Sequence, residues 1–298
     1  MKILPKIDIH VHAVPDVMLV RMNGEGFPTP PEIRKIYDSI GVEKGVLLPD
    51  GIYPPGAEDI CSPREARNMV RCFPETFGWW FCPLSPSLSN NAPDTDLSFY
   101  INQYKSFSAK GVGEISENRY FDDPYMTNLF YHCEACDMPV IFHIGRMGRD
   151  YGIVDDIGLP RLEKVLKLYP KLQFLGHSQK FWAEIGTCDD STRDGYPTGK
   201  VIPGRLPELM RQYPNLCGDL SAGSGYNAIT RDPEFGCAFL EEFSSRLYYG
   251  TDICTPSDGT SKMLKLSAFL DDAMLHGKIS YLAYERISRG NALDLLEK

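Results

Sequence analysis

Short apolar runs alternate with longer segments of helical periodicity along the whole chain. The runs, rich in Val, Ile, Leu, Phe and Tyr, predict strands over Ile7–Ala13, Gly45–Pro49, Phe77–Cys82, Val112–Ile115, Val140–Ile144, Leu172–Gly176, Leu216–Leu220 and Leu247–Thr251. Between them the pattern predicts helices near Glu32–Ile40, Pro63–Phe73, Leu97–Ala109, Asp123–Cys136, Leu159–Tyr169, Leu206–Tyr213 and Pro233–Ser245, with a last helical region from Ser261 to Leu296. Near-continuous apolar strands followed by amphipathic helices indicate a parallel sheet covered by helices. Eight repeats of that unit predict a (β/α)8 TIM barrel; a doubly wound open sheet is the alternative. No linker or low-complexity stretch interrupts the pattern, so residues 1–298 read as one barrel domain.

The connections between elements are unequal. Helix-to-strand links such as Lys110–Gly111 and Pro170–Lys171 are short. Strand-to-helix links are long: Val14–Pro31, Asp50–Ser62, Gly145–Gly158, His177–Arg205, Ser221–Asp232 and Asp252–Thr260. In a barrel these long loops emerge together at the C-terminal ends of the strands, the face on which active sites are built.

Composition narrows the function classes. Lys and Arg total 31 against 40 Asp and Glu, a net charge of −9. That balance argues against nucleic acid or an anionic membrane as a partner, and no apolar run is long enough to predict a membrane span. A small-molecule substrate is expected, and the exposed helix faces of a barrel make a homodimer plausible. The nine cysteines are odd in number and scattered, several within apolar runs. This usage, with no signal-like N-terminus, predicts reduced thiols and a cytoplasmic protein.

The six histidines change the picture most. His10 and His12, in IDIHVHA, end the first strand. A spacing of two on a strand puts both rings on one face, as half a metal site. His143 ends the fifth strand in PVIFHIG and His177 the sixth in LQFLGHSQ; alone, each reads more readily as a structural histidine than as a ligand. With the first pair, however, four of six histidines hold equivalent strand-end positions. Asp252, in LYYGTDI, ends the eighth strand, where a desolvated carboxylate needs a cation or hydrogen-bond donors. Glu114 on the fourth strand is read either as bridging or completing a metal site or as pairing with an arginine. Ser116 shares its face and Glu117 should point away. Asp8 shares the parity of His10 and His12 and is expected to support an imidazole from behind. His132 and His276 fall in helical stretches as packing or surface residues. Cys133 and Cys136 form an isolated CxxC on a helix and read as structural thiols. The glycines of SAGSGYN (Ser221–Asn227) are read as belonging to a loop, with anion binding the weaker alternative.

This ordered set resembles that of the amidohydrolase superfamily: HxH on strand one, His on strands five and six, and Asp on strand eight. It is most similar to the amidohydrolase-related branch that includes aminocarboxymuconate-semialdehyde-type decarboxylases. The resemblance spans KIDIHVH to RISRGNALDLL and is most specific in LPRLEKVLKLYPKLQFLGHSQKFW and LYYGTDICTP. It implies that His10, His12, His143 and Asp252 bind a divalent metal, zinc first, with manganese, iron or nickel as alternatives. It makes His177 a further ligand or a catalytic base. No lysine stands at the end of strand four, so a carbamylated-lysine bridge is not expected; Glu114 stands there, resembling the carboxylate bridge of other branches. Related lactonases work without metal, so the motif does not by itself require one.

The expected activity is metal-assisted hydrolysis of a small polar, carboxylate-bearing molecule. Asp252 or His177 would move the proton, and Arg146, Arg205 and Arg231, all in strand-to-helix loops, would grip an anion. Phe181 and Trp182 either wall the pocket or pack the sixth loop. Decarboxylation or hydration of a small unsaturated or aromatic acid is the second reading. A barrel that binds without catalysis is the third, and it would be marked by lost ligand positions, none of which is lost here.

Overall fold

The computed structural model describes residues 2–49, 61–87 and 91–298. Part of the expected Asp50–Ser62 loop, residues 50–60, lies outside the described residues. Eight parallel strands form the barrel: β1 (Lys6–Val11), β2 (Val42–Leu47), β3 (Phe77–Trp80), β4 (Val112–Ile115), β5 (Val140–Gly145), β7 (Phe174–His177), β8 (Leu216–Asp219) and β9 (Leu247–Tyr248). The two-residue β6 (Ile153–Val154) adds to β5 from the loop that follows it.

Continuous pairing runs β1-β2-β3 and β4-β5-β7-β8-β9. Single bridges close the two seams. At one, Cys82 pairs with Val112, and its N–H and C=O bond Gly111 O and Gly113 N at 2.9 and 3.0 Å. At the other, Val11 pairs with Ile253, and the amides of Ile9 and Asp252 reach Tyr249 O and His10 O at 3.0 and 2.8 Å. The barrel is therefore closed, as the eightfold repeat predicts.

Two apolar layers hold it. Ile7, Ile9, Val46, Leu48, Phe81, Ile141, Leu175, Cys217 and Tyr248 fill the interior, and Ala292, Leu295 and Leu296 of the final helix close the floor. A larger cluster, including Tyr37, Leu129, Phe130, Leu162, Val165, Leu209 and Leu240, packs the helices onto the outside. Helix starts follow local chemistry. In TPPE and SPRE, Thr29 and Ser62 form capping boxes with Glu32 and Glu65, each with a proline in the first turn.

Two readings are corrected. The segment read as a glycine loop after the seventh barrel strand is a helix, Ala222–Thr230. Gly225 lets it pack close: a Cβ there would lie 2.3 Å from Leu220 O. The last helical region is not continuous either. It breaks at Gly277, whose φ of 66° suits a residue without Cβ, and resumes at Tyr281. Among the described residues no helix is long and apolar enough to cross a membrane. All nine cysteines are free thiols.

Candidate metal centre

The centre begins with an irregularity in β1. Pairing with β2 runs Asp8 to Gly45 and then Val11 to Leu47, three steps on one strand against two on the other. The extra residue is a bulge. It lets Ile9 point into the barrel core while His10 and His12 also turn inward at the rim. Asp8 faces the helix layer instead, where its Oδ2 accepts from Tyr37 Oη at 2.7 Å. The expectation that Asp8 supports an imidazole is therefore corrected: it accepts the backbone N–H of His10 at 3.0 Å, not the ring.

Behind the His10 ring stands Asp219 at the end of β8, with Oδ2 2.7 Å from Nδ1 and both side chains fully buried. His12 Nδ1 lies 2.9 Å from Leu48 O. Each contact requires a proton on Nδ1, so Nε2 is the nitrogen that can face a metal once its own proton is released. The two Nε2 atoms are 3.0 Å apart.

Two carboxylates meet them. Glu114 Oε2 lies 3.6 and 3.7 Å from Nε2 of His10 and His12. Asp252 Oδ1 lies 3.5 and 3.4 Å from the same atoms. A tetrahedron with ligand bonds of 2.0–2.2 Å has edges of about 3.3–3.6 Å. Each carboxylate thus stands at about that spacing from both imidazole nitrogens.

The other oxygens serve a second group. His143 and His177 are register partners on β5 and β7. Glu114 Oε1 lies 3.0 Å from His143 Nδ1 and 3.8 Å from His177 Nε2, and Asp252 Oδ2 is 3.5 Å from His177 Nε2. Glu114, His143 and His177 form a second group of donors able to hold an ion. Glu114 therefore presents one oxygen to each half.

The electrostatics fit a cation. Burial disfavours charge on His10, yet Asp219 and Asp252 outweigh it and hold the imidazolium well above the usual histidine range. Burial would raise Glu114, but the neighbouring His10 and the hydrogen-bonded His143 pull it well below the usual carboxylate range. Asp252 is drawn down to about 2, against burial, by His10, His12 and His177. Burial and the neighbouring His10 lower His177. Asp252 is also held in the left-handed region at φ 57°, a strained backbone for a residue with Cβ, by its N–H bond to His10 O.

No protein-family model matches the chain, and no curated protein matches it in sequence. Solved structures do match in shape. An amidohydrolase from Burkholderia multivorans with bound zinc superposes with a TM-score of 0.59 at 11% identity, over 98% of this chain and 99% of that one. A proposed 2-pyrone-4,6-dicarboxylic acid hydrolase from Pseudomonas putida gives 0.61 at 13%, over 99% and 98%. A 5-carboxyvanillate decarboxylase from Novosphingobium aromaticivorans complexed with manganese gives 0.51 at 16%, over 89% and 79%. The chain has the fold of the amidohydrolase barrels. At these identities the likeness is one of fold.

Around the amidohydrolase-like rim, the three arginines expected to grip an anion do not converge. Arg146 stands beside the cluster, on a cavity of about 220 Å³ that it lines with His143, Tyr151, Gln179 and Lys180. Its guanidinium reaches Asp150 at 2.7 Å and Asp194 at 3.3 Å. Arg205 opens the Arg205–Gln212 helix and is engaged by Glu163 and Glu208 at 2.8 and 2.9 Å. Arg231 lies against Gly186 in the sixth loop, half-buried beside Cys188 and Asp232. Phe181 and Trp182 are buried: Phe181 covers Gly176, and Trp182 Nε1 donates to Asp219 O at 2.8 Å. They pack the sixth loop and do not wall the cavity. Glu117 turns away from Glu114 to Ser85 Oγ at 2.8 Å. His132 sits near Asp96 and His276 on Asp272 O, both in the helix layer.

Residue-type reasoning missed Asp219 and Ser221. The signal for Asp219 was present: like Asp252, it is a carboxylate ending an apolar strand.

Proposed function

We propose that this protein is a metal-dependent hydrolase of a small, carboxylate-bearing molecule, with the metal held by His10, His12, Glu114 and Asp252. The observation that carries the reading is that one oxygen of Glu114 and one of Asp252 each lie 3.4–3.7 Å from both Nε2 atoms of His10 and His12, themselves 3.0 Å apart. Two imidazoles anchored through Nδ1, with Nε2 turned inward, and two carboxylates held ionised suit a divalent ion such as zinc or manganese. His143, His177 and the second oxygen of Glu114 supply a place for a second ion. When bound, such a centre supplies Lewis acidity and a water whose proton is released near neutral pH.

The chain's own groups do the rest. Asp252, ionised and with Oδ2 facing His177, accepts the proton of the attacking water. His177, held neutral by burial, takes that proton at Nε2 from Asp252 Oδ2 and passes it to the leaving group. Arg146, at the mouth of the adjoining cavity, binds a substrate carboxylate in exchange for one of its two aspartates. The homodimer expected from exposed helix faces belongs to the proposal too; Phe99 and Tyr131 offer large exposed rings for it.

The test is elemental analysis of protein purified without added metal, followed by a panel of carboxylate-bearing lactones, esters and amides. Metal bound to the wild type and lost in His10→Ala, together with hydrolysis, is the expected result. Metal-free wild type with activity unchanged in His10→Ala overturns it. The second reading, decarboxylation, is favoured by the fold shared with the manganese-bound decarboxylase. Carbon dioxide released from an aromatic or unsaturated acid, with no hydrolysis in the panel, selects it.

A further inference from the structure

Asp219 and Ser221 lie behind the cluster, and the direction of their hydrogen bonds decides more than their distances. Asp219 Oδ1 accepts the Ser221 backbone N–H at 3.0 Å. Its Oδ2 faces both His10 Nδ1, at 2.7 Å, and Ser221 Oγ, at 3.0 Å. A carboxylate only accepts, so both neighbours donate to it. This commits the one proton of the Ser221 hydroxyl. Ser221 Oγ then has only lone pairs to offer His177 Nδ1, 2.9 Å away. His177 Nδ1 must carry the N–H. The 3.6 Å separation between His177 Nδ1 and Asp219 Oδ2 agrees, because an N–H is attracted there and a lone pair repelled. Ser221 precedes the Ala222–Thr230 helix but makes no side-chain cap to it, so its hydroxyl is given wholly to this line.

We propose that Asp219 and Ser221 form a polarity relay: one buried carboxylate holds a proton on Nδ1 of His10 directly, and sets the Nδ1–H tautomer of His177 through a serine hydroxyl. Both are positioning residues. The relay leaves the His177 Nε2 lone pair directed at Glu114 and Asp252, 3.8 and 3.5 Å away. It also joins His10 to His177, which with Asp252 form a further group of donors able to hold an ion.

The relay makes an unusual prediction for Asp219→Asn. The amide oxygen keeps the Ser221 N–H, and the amide nitrogen takes the place of Oδ2. That nitrogen donates, so Ser221 Oγ becomes the acceptor and gives its proton to His177 Nδ1. The imidazole proton moves to Nε2, and the tautomer reverses. Ser221→Ala breaks the line without reversing it.

The experiment is a long-range proton–nitrogen spectrum of the imidazoles in metal-free protein near pH 9, above the ordinary histidine range. His177 is assigned from the spectrum of His177→Asn. Expected are an unprotonated Nε2 at His177 in the wild type, an unprotonated Nδ1 in Asp219→Asn, and a mixture in Ser221→Ala. An Nε2–H tautomer in the wild type, or no change in either variant, overturns the relay. Should Asp219→Asn fail to fold, the wild-type and Ser221→Ala spectra decide alone. The consequence for metal rests on the proposed function: Asp219→Asn binds zinc about 10–100-fold more weakly. If the wild type binds no metal while the tautomers follow the pattern, the relay stands and the metal reading falls. If metal binds and the tautomers do not follow, the relay falls.

Discussion

Asp8 Oδ1 accepts the backbone N–H of Thr251 at 2.9 Å, across the seam where β1 meets the segment after β9. The same oxygen takes the His10 N–H at 3.0 Å, while Oδ2 takes the hydroxyls of Thr251 and Tyr37 at 2.5 and 2.7 Å. One buried carboxyl thus ties together the backbones that carry His10 and Asp252. Asp8→Ala strands two buried N–H groups and should cost about 2–4 kcal/mol. Asp8→Asn should cost less than about 1 kcal/mol, because its oxygen keeps the two amides and the two hydroxyls can rotate to accept from its nitrogen. Urea denaturation of the metal-free protein measures both; equal losses in the two variants would refute the role.

The same carboxyl gives stability a pH dependence of unusual sign. Burial raises Asp8 to about 6, against the four hydrogen bonds that favour its charge. Between about pH 4 and 6 the folded chain holds a proton that the unfolded chain has released. Stability from this group is therefore fully present at the acid end and falls as pH rises through that window, by an amount on the order of 3 kcal/mol. Subtracting the profile of Asp8→Asn from that of the wild type isolates it. A flat difference curve, or one rising with pH, contradicts the prediction.

Metal uptake should fall as the solution is made more acid. His10 keeps its proton above the usual histidine range because Asp219 and Asp252 outweigh burial, and a metal must displace that proton. Each proton released weakens apparent affinity about tenfold per pH unit below the group's pKa. Glu114, with one oxygen toward each half, should give two equivalents of zinc per chain in the wild type and no more than one in Glu114→Ala. Calorimetric titration at two pH values reads stoichiometry and proton release together. Two equivalents in Glu114→Ala would remove the bridging role.

Much of this centre was readable from residue order because barrel strands end on one face. His10, His12, Glu114, His143, His177 and Asp252 each close or nearly close an apolar run, and the barrel brings all six together. What escaped depends on relations between elements. The β1 bulge is a property of pairing with β2, so strict alternation put Asp8 on the wrong face. Arg205 and Arg231 sit in or beside rim loops by sequence, but their surroundings come from distant segments, at Glu163 and at Gly186. The glycines after β8 read as a loop because Gly disfavours helix, and the packing that overrides this comes from other elements. Ser221 was unreadable for the same reason: a serine becomes informative only once its neighbours are known.

The sixth loop rests on a buried ion pair, and that pair should govern both stability and substrate binding. Arg193 Nε lies 2.9 Å from Glu184 Oε1, both side chains nearly inaccessible, and its other nitrogens donate to Asp155 O and Asp156 O at 2.8 and 3.1 Å. Glu184 also accepts the Gly158 N–H at 3.0 Å. These bonds clamp the loop after β7 against the loop after β5. The residue next to Arg193 is Asp194, which meets Arg146 and Lys180 at the cavity beside His143. Arg193→Met leaves Glu184 buried without a cation and should cost about 3–5 kcal/mol. Adding Glu184→Gln removes the stranded charge and should restore part of that loss, although the carbonyls of Asp155 and Asp156 stay unpaired. Because Asp194, one of the two aspartates that a substrate carboxylate displaces from Arg146, loses its anchor in both variants, KM for a carboxylate substrate should fall in both while metal content stays at the wild-type level. Thermal unfolding, elemental analysis and steady-state kinetics on the three proteins separate these effects. A double variant no more stable than Arg193→Met would show that the pair contributes through packing and not through charge.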